Sequence, residues 1–279
     1  MNANLLPKTP IIKDWLQNAI DILQSADVRS AHLDAEIILA HTINKPRTYL
    51  HAHPETIIDS RSREIADARI DLRSDRVPVA YIIGHKEFYG RNFKVTPDTL
   101  IPRPESEAII ELLKKHLKDP RGQLKLCDVG CGSGVLGITA KKEFPQLKVS
   151  LADISQPALE VAEQNAEALN TEVELIKSNL CDNVFVPQNI MLANLPYVDT
   201  NWEVSTDAKH EPENALFADQ NGLELIKKLL DQSTDKLSPN GLLIIEADAC
   251  QHPDVTDYAQ SKGLSLIDSD GLALAYSKN

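Results

Sequence analysis

Apolar residues near the start of the chain recur at steps of three and four. Ile11, Ile12, Trp15, Leu16, Ala19, Ile20 and Leu23 line one face of an amphipathic helix. Ala31, Ala35, Ile38, Leu39 and Thr42 repeat the pattern. Pro46 and Pro54 punctuate short segments. A last helix is expected over about 55–75, studded with Arg61, Arg63, Asp67, Arg69, Asp71 and Arg73. Such a charge run reads as a solvated face with ion pairs at three- and four-residue steps. Residues 1–76 therefore read as a small helical domain.

The texture changes at Val77-Pro78. Tyr81-Ile82-Ile83, Gly84-His85 and then Phe88 to Val95 predict a β-hairpin, with residues 77–97 linking two domains. In Leu100-Ile101-Pro102-Arg103-Pro104-Glu105-Ser106-Glu107, Pro104 suits a first helical position. Glu105 and Glu107 suit the positive end of a helix dipole, and that helix should run to about Lys118.

From 124 onward, short apolar strands alternate with helices. Strands are expected at Leu124–Val129, Leu147–Asp153, Val173–Lys177, Ile190–Asn194 and Leu242–Glu246. Intervening helices are expected to about Phe144, from Pro157 to about Leu169, over Leu223–Leu230 and around 254–262. Leu264–Ile267 and Leu272–Tyr276 should close the sheet as an antiparallel pair. The alternation predicts an α/β domain over 98–279, with a mostly parallel sheet covered on both faces.

Composition narrows the function classes. No apolar run approaches the ~20 residues that span a bilayer. The opening residues Met1-Asn2-Ala3-Asn4-Leu5 lack the pattern of a secretory signal, so a cytoplasmic protein is expected, with no membrane contact. The net charge is −12, and residues 1–76, with 10 basic and 11 acidic side chains, carry only −1 of it. So negative a remainder disfavours extensive nucleic-acid contact. Cys127, Cys131, Cys181 and Cys250 form no C-x-x-C pair, which reads as buried free thiols, with no disulfide framework and no metal site.

The candidate chemistry lies in two turns. Asp128-Val129-Gly130-Cys131-Gly132-Ser133-Gly134 follows the first strand of the α/β domain and opens a helix. Glycines there let a ligand approach the backbone, and such sheets bind ligands at the carboxyl ends of their strands. The second strand ends at Asp153, whose carboxylate can accept from both hydroxyls of a ribose. An adenosine-containing cofactor is expected. The spacing Gly132-x-Gly134-x-x-Gly137 also satisfies the dinucleotide fingerprint, so the loop alone leaves NAD and S-adenosylmethionine open.

Ala193-Asn194-Leu195-Pro196-Tyr197 sits just past the fourth strand. It resembles the Asn-(Pro/Leu/Ile)-Pro-(Tyr/Phe) turn of methyltransferases that modify planar amino groups. The nitrogen of an amide or aromatic amine attacks poorly, because its lone pair is delocalised. The Asn194 side-chain oxygen can accept one N–H, and the Leu195 carbonyl the other. Two acceptors out of the amide plane favour a pyramidal nitrogen with its lone pair aimed at the methyl. Pro196 holds Leu195 extended, and Tyr197 offers a flat face to the substrate.

Together these residues resemble the HemK-type peptide chain release factor glutamine methyltransferases. The resemblance rests on Pro78 to Gly84 running into Glu87-Phe88-Tyr89-Gly90, on Leu100 to Glu107, on Asp128 to Gly134 and on Asn194 to Tyr197. His210-Glu211-Pro212-Glu213-Asn214-Ala215-Leu216-Phe217-Ala218 with Gly222 is a fifth stretch. The resemblance implies a Rossmann-like S-adenosylmethionine-dependent methyltransferase sheet behind a helical substrate-recognition domain. It also implies methylation of the glutamine of a Gly-Gly-Gln loop in release factors, leaving S-adenosylhomocysteine. Cofactor positions then fall on Gly130, Cys131, Gly132, Ser133, Gly134, Asp153, Asn179, Leu180 and Asn194. Catalytic and substrate positions fall on Asn194, Leu195, Pro196 and Tyr197.

The chain departs from the family pattern in three places. Leu195 stands where proline is usual. Asn179 stands where an aspartate usually meets the adenine amine. Glu246-Ala247-Asp248 lacks a usual glycine, and the last strand lacks an arginine. Arg103, with Glu105 and Glu107, is a candidate for cofactor or substrate contact, with helix capping the competing role of the glutamates, and Glu211 falls near the substrate wall by analogy. His85, His210, Trp15 and Trp202 read as hydrogen-bonded, exposed or packing residues. Alternatives are a glutamine methyltransferase of a ribosomal protein, an N6-adenine methyltransferase of RNA or DNA, and a cofactor-binding adaptor without catalysis.

Overall fold

A computed structural model describes residues 10–117 and 123–279. The opening residues and the Lys118 end of the helix expected after Pro104 lie outside the described residues. Contacts divide the chain into two units. One runs to Gly84 and includes Ser205–His210; the other holds His85–Val204 and Glu211–Asn279.

The first unit is helical: α1 (Ile12–Ser25), α2 (Ala31–Thr42), α3 (Arg47–Ala52), α4 (Ser60–Ser74) and α5 (Val79–Ile83). Its core gathers the residues that the periodicity marks, among them Ile12, Trp15, Leu23, Ile38 and Leu39. Trp15 is a packing residue whose indole N–H donates to Asp67 at 2.7 Å. Three expectations are corrected here. The charged helix starts only at Ser60, because the Asp59 carboxylate accepts from the Ser62 N–H and caps it there. Its charge run is not all solvated. Arg73 is 3% exposed, donating to Asp34 and to Asp207 of the Ser205–His210 segment, each at 2.7 Å. Arg76 donates to the other Asp207 oxygen, also at 2.7 Å. Tyr81-Ile82-Ile83 is helix α5 rather than strand. A short apolar run carries no period of its own, and Gly84, left-handed at φ +78°, ends the turn.

The second unit opens with the expected hairpin, shortened to β1 (His85–Phe88) and β2 (Arg91–Lys94). Tyr89 and Gly90 both take positive φ, the backbone of a two-residue hairpin turn. A 3-10 turn, Pro104–Ser106, leads into α6 (Glu107–His116). Glu107 does not cap that helix alone, since its carboxylate accepts the Tyr89 N–H at 2.8 Å and fastens the hairpin.

Strand and helix then alternate: β3 (Lys125–Val129), α7 (Val135–Glu143), β4 (Lys148–Asp153), α8 (Gln156–Ala168), β5 (Glu174–Lys177) and β6 (Gln188–Ala193). A small pair, β7 (Val198–Asp199) and β8 (Phe217–Ala218), flanks α9 (Glu213–Leu216). The chain closes with α10 (Glu224–Lys236), β9 (Leu237–Glu246), α11 (His252–Ser261), β10 (Leu264–Asp270) and β11 (Ala273–Lys278). The main sheet has the order β10-β11-β9-β6-β3-β4-β5. Five strands are parallel, and β11 runs antiparallel to both β9 and β10, the closing pair the pattern called for. Strand order reverses at β3, with β4 on one side and β6 on the other, which opens a crevice at their carboxyl ends.

Cys127, Cys131 and Cys181 are buried thiols, and burial pushes Cys127 up to about 12. Cys250 differs: it is exposed, on a short turn whose first N–H groups are capped by Asp248. Among the described residues no helix is long and apolar enough to cross a membrane. Nor does any group of three or more His, Cys, Asp or Glu side chains there form a metal site.

Candidate active site

A cleft of about 290 Å³ opens where the strand order reverses, at the ends of β3, β4 and β6. Gly130, Cys131, Gly132 and Ser133 form one wall, Asp153 another, and Asn179 with Leu180 a third. Asn194, Leu195 and Pro196 complete it. Ten of the twelve sequence-marked residues thus meet in one place. Gly134 and Tyr197 are not in that lining.

Backbone bonds shape the glycine loop. The Gly130 and Cys131 N–H groups donate to the Ala152 carbonyl at 2.8 and 3.1 Å, folding the chain back over the end of β4. Gly132 donates its N–H to Asp153 Oδ2 at 2.8 Å, and Ser155 donates to Oδ1 at 2.9 Å. Asp153 is thereby fixed, with lone pairs left for ligand hydroxyls, while its burial raises the carboxyl above the ordinary value. Gly132, at φ +54°, has open space where a Cβ would stand, so its backbone is free for a ligand to approach. Gly134 plays another part: a Cβ there would meet Ile138, Leu151 and Ala162, so it seats the loop on the core instead of lining the cleft.

Asn165 was not singled out by the sequence. Buried on α8, it donates to the carbonyls of Ser133 and Lys94 and accepts the Lys94 N–H, tying the loop to β2. Ile154 was also missed. It lines the cleft yet is 59% exposed, an apolar surface directly after the acidic end of β4. An apolar residue following a strand-terminal Asp was the available signal. Leu180 takes φ +49°, a strained backbone for a leucine, where the chain turns beneath the cleft.

Asn194 directly follows β6 and is held by a buried polar chain. Its Nδ2 donates to Ser106 Oγ at 2.9 Å, and Ser106 Oγ donates to Glu246 Oε2 at 2.6 Å. Tyr197 Oη donates to Glu246 Oε1 at 2.8 Å. Tyr197 is therefore pinned beside the end of β9, with its phenol pushed above the ordinary range by burial and by the Glu246 carboxylate. Burial likewise raises the Glu246 carboxyl. Ser106 was passed over between two glutamates whose capping role was more conspicuous.

Glu211 braces the stretch that leads into α6. Glu211 is buried and accepts from the Ile101 N–H at 3.0 Å and from Arg103 at 2.5 Å. Arg103 and Asn214 line the cleft. At Gly222, φ +78°, a Cβ would stand 1.9 Å from the Tyr197 carbonyl oxygen, so only glycine lets these backbones meet. His210 is exposed and contacts the Asp75 carbonyl, and Trp202 is 37% exposed and lines no part of the cleft.

Residues 14–84 match the model of the PrmC N-terminal domain, and residues 106–211 that of the methyltransferase small domain. The release factor glutamine methyltransferase of Koribacter versatilis (strain Ellin345) is 36% identical over 240 residues, covering 84% of this chain and 85% of that one. That of Coxiella burnetii (strain RSA 493 / Nine Mile phase I) is 34% identical over 263 residues, 92% of each chain. Among solved structures, a methyltransferase from Pyrococcus furiosus superimposes with a TM-score of 0.52 at 19% identity, over 76% of this chain and 98% of that one. The Thermus thermophilus 16S rRNA N2 G1207 methyltransferase gives 0.53 at 13%, over 70% and 50%. These two show the fold, a Rossmann-like methyltransferase sheet. With relatives alike over both units and the Asn194 turn set against a glycine-lined crevice, the chain belongs to the release factor glutamine methyltransferase family.

Proposed function

We propose that this protein methylates the side-chain amide nitrogen of the glutamine in the Gly-Gly-Gln loop of peptide chain release factors, in the cytoplasm, using S-adenosylmethionine. The observation that carries the reading is the fixed carboxamide of Asn194 at the rim of the glycine-lined cleft.

The residues present fit the cofactor. Asp153 suits a ribose, the open backbone at Gly132 suits the methionine arm, and Ile154 with Leu180 and the Asn179 amide suits an adenine. When bound, the cofactor supplies an electrophilic methyl on a sulfonium. Everything else falls to the chain. Asn194 donates through Nδ2 to Ser106, which leaves Oδ1 to accept one N–H of the glutamine amide. The Leu195 carbonyl takes the other. Pro196 keeps that carbonyl from swinging into helical geometry, the restriction that survives although Leu195 replaces the usual proline. Tyr197, its hydroxyl held by Glu246, offers its ring to the flat amide. Both acceptors are preorganised, so little reorganisation accompanies the transfer. No strong base is needed, because the alkylated nitrogen becomes acidic. The helical unit is the part we assign to gripping the release factor body.

The test is mass spectrometry of a release factor after incubation with the protein and S-adenosylmethionine. The Gly-Gly-Gln peptide should become heavier by one CH2, with the added methyl on glutamine. An unmodified peptide beside a methylated ribosomal protein or a methylated adenine would replace this reading by one of the alternatives.

A further inference from the structure

We infer that Glu246 is a positioning residue for methyl transfer, acting through Ser106 to set which end of the Asn194 carboxamide faces the substrate. The inference rests on the function proposed above and assigns a new part of its machinery.

A carboxamide has two ends of nearly equal shape and opposite hydrogen-bonding sense. Asn194 works as an acceptor only if its oxygen faces the substrate N–H. Turned over, its NH2 would meet the glutamine NH2, donor against donor. Something must choose, and Ser106 alone cannot, since a hydroxyl both donates and accepts. An ionised carboxylate only accepts. Glu246 Oε2 therefore takes the Ser106 hydrogen at 2.6 Å, which leaves Ser106 Oγ only lone pairs to offer. Asn194 must then present Nδ2, as it does at 2.9 Å, and Oδ1 is left for the substrate. The polarity of the chain is set at its far end, three hydrogen bonds from the reacting nitrogen.

Burial makes the choice stringent. Glu246 is 1% exposed and Ser106 3%, so neither exchanges its partner for water. Among the described residues no cation lies within ion-pair distance of Glu246. Its second oxygen accepts from Tyr197 at 2.8 Å. The groups acting on it are Ser106 and Tyr197, Glu105 before α6 and the Asn194 carboxamide itself, while Asp248 after β9 and Arg103 act on the Tyr197 hydroxyl. A protonated Glu246 could donate to Ser106 Oγ, and the Ser106 hydroxyl would then donate to Oδ1 of a reversed Asn194 carboxamide. The direction of the Glu246 shift, upward through burial, brings that reversal closer to neutrality.

Glu246→Gln and Ser106→Ala test this, with the release factor as substrate and S-adenosylhomocysteine as binding probe. Glutamine in place of Glu246 can accept or donate, so the carboxamide loses its bias. Both variants should lose about 10–100-fold in kcat, the cost of a misoriented contact, while S-adenosylhomocysteine affinity stays within about threefold. The wild-type kcat should fall on the acid side as Glu246 takes up a proton, and Glu246→Gln should lose that limb. Wild-type kcat in both variants, or an acid limb that persists in Glu246→Gln, would overturn the inference.

A second readout is independent of what is methylated. The 15N side-chain signal of Asn194, assigned by its absence in Asn194→Asp, should show one hydrogen protected from exchange in the wild-type complex with S-adenosylhomocysteine. Protection should drop at least about tenfold in Ser106→Ala, a variant that removes a single hydroxyl. Unchanged protection would overturn the relay even if release factor methylation holds. Lost protection with no methylation of release factor would retain the relay and discard the substrate.

Discussion

Gly130 and Leu195 face each other so closely that a Cβ on Gly130 would stand 2.6 Å from Leu195 Cδ2. The cofactor loop and the substrate turn thus share one contact. Gly130 also sits at φ +70°, left-handed space that costs a residue with a Cβ roughly 1–2 kcal/mol. Leu195 is 4% exposed and packs into the core beneath it. The family's usual proline would lack that branched chain, so the departure at 195 has its structural counterpart here.

Gly130→Ala should therefore lose both stability and S-adenosylhomocysteine affinity. Leu195→Ala should restore part of both in the double variant, because it removes the clash but not the backbone strain. A thermodynamic cycle over the four proteins should give a coupling of about 0.5–3 kcal/mol, the range for residues in contact. Simple additivity would mean that loop and turn do not touch.

Asn194→Ala should leave S-adenosylhomocysteine affinity within a few-fold and lower kcat by roughly 10²–10³, as expected for one preorganised polar group. Calorimetry and initial rates separate the two effects. A variant that turns over at the wild-type rate would remove Asn194 from the chemistry.

In the helical unit, Arg73 neutralises the buried Asp34 and also holds Asp207. Burial works against the Asp207 carboxylate, but Arg73 and Arg76 hold it below the ordinary carboxylate value. Arg73→Met should cost about 3–5 kcal/mol, since it strands a buried charge. Urea unfolding followed by Trp15 fluorescence in a Trp202→Phe background measures it. The loss should lessen at a pH low enough to protonate Asp207.

Asp128 lies under the glycine loop. It accepts the Gly137 N–H at 2.8 Å through Oδ2, and its other oxygen is buried without a partner among the described residues. Burial pushes it up to about 7. A carboxyl raised in the folded state stabilises fully below its unfolded value, and that contribution is lost as pH rises through the folded one. Asp128→Asn should therefore gain on the wild type between about pH 4 and 7 and hold the gain above. Urea midpoints at pH 5 and pH 8 check this. A variant that loses more stability at pH 8 than at pH 5 would reverse the sign.

The parallel strands, the glycine loop and the Asn194 turn were legible in the sequence because each depends on local pattern or fixed spacing. What stayed hidden depends on distant pairing. Arg73 reads as one more solvated charge until Asp34 and Asp207 converge on it from 39 and 134 residues away. Ser106 and Glu246 are 140 residues apart, and although the residues around each draw notice in the sequence, nothing there pairs the two or ties them to Asn194. Tyr81 to Ile83 failed for the opposite reason, being too short to show a period. Gly134 and Gly132 look alike in a motif, yet one seats on the core and the other faces open space.

The most direct test of the mechanism is a crystal structure with S-adenosylhomocysteine and a Gly-Gly-Gln peptide bound. The glutamine amide nitrogen should lie within hydrogen-bond distance of both Asn194 Oδ1 and the Leu195 carbonyl oxygen, facing the sulfur. A glutamine held elsewhere, or an Asn194 that presents Nδ2 to it, would contradict the mechanism.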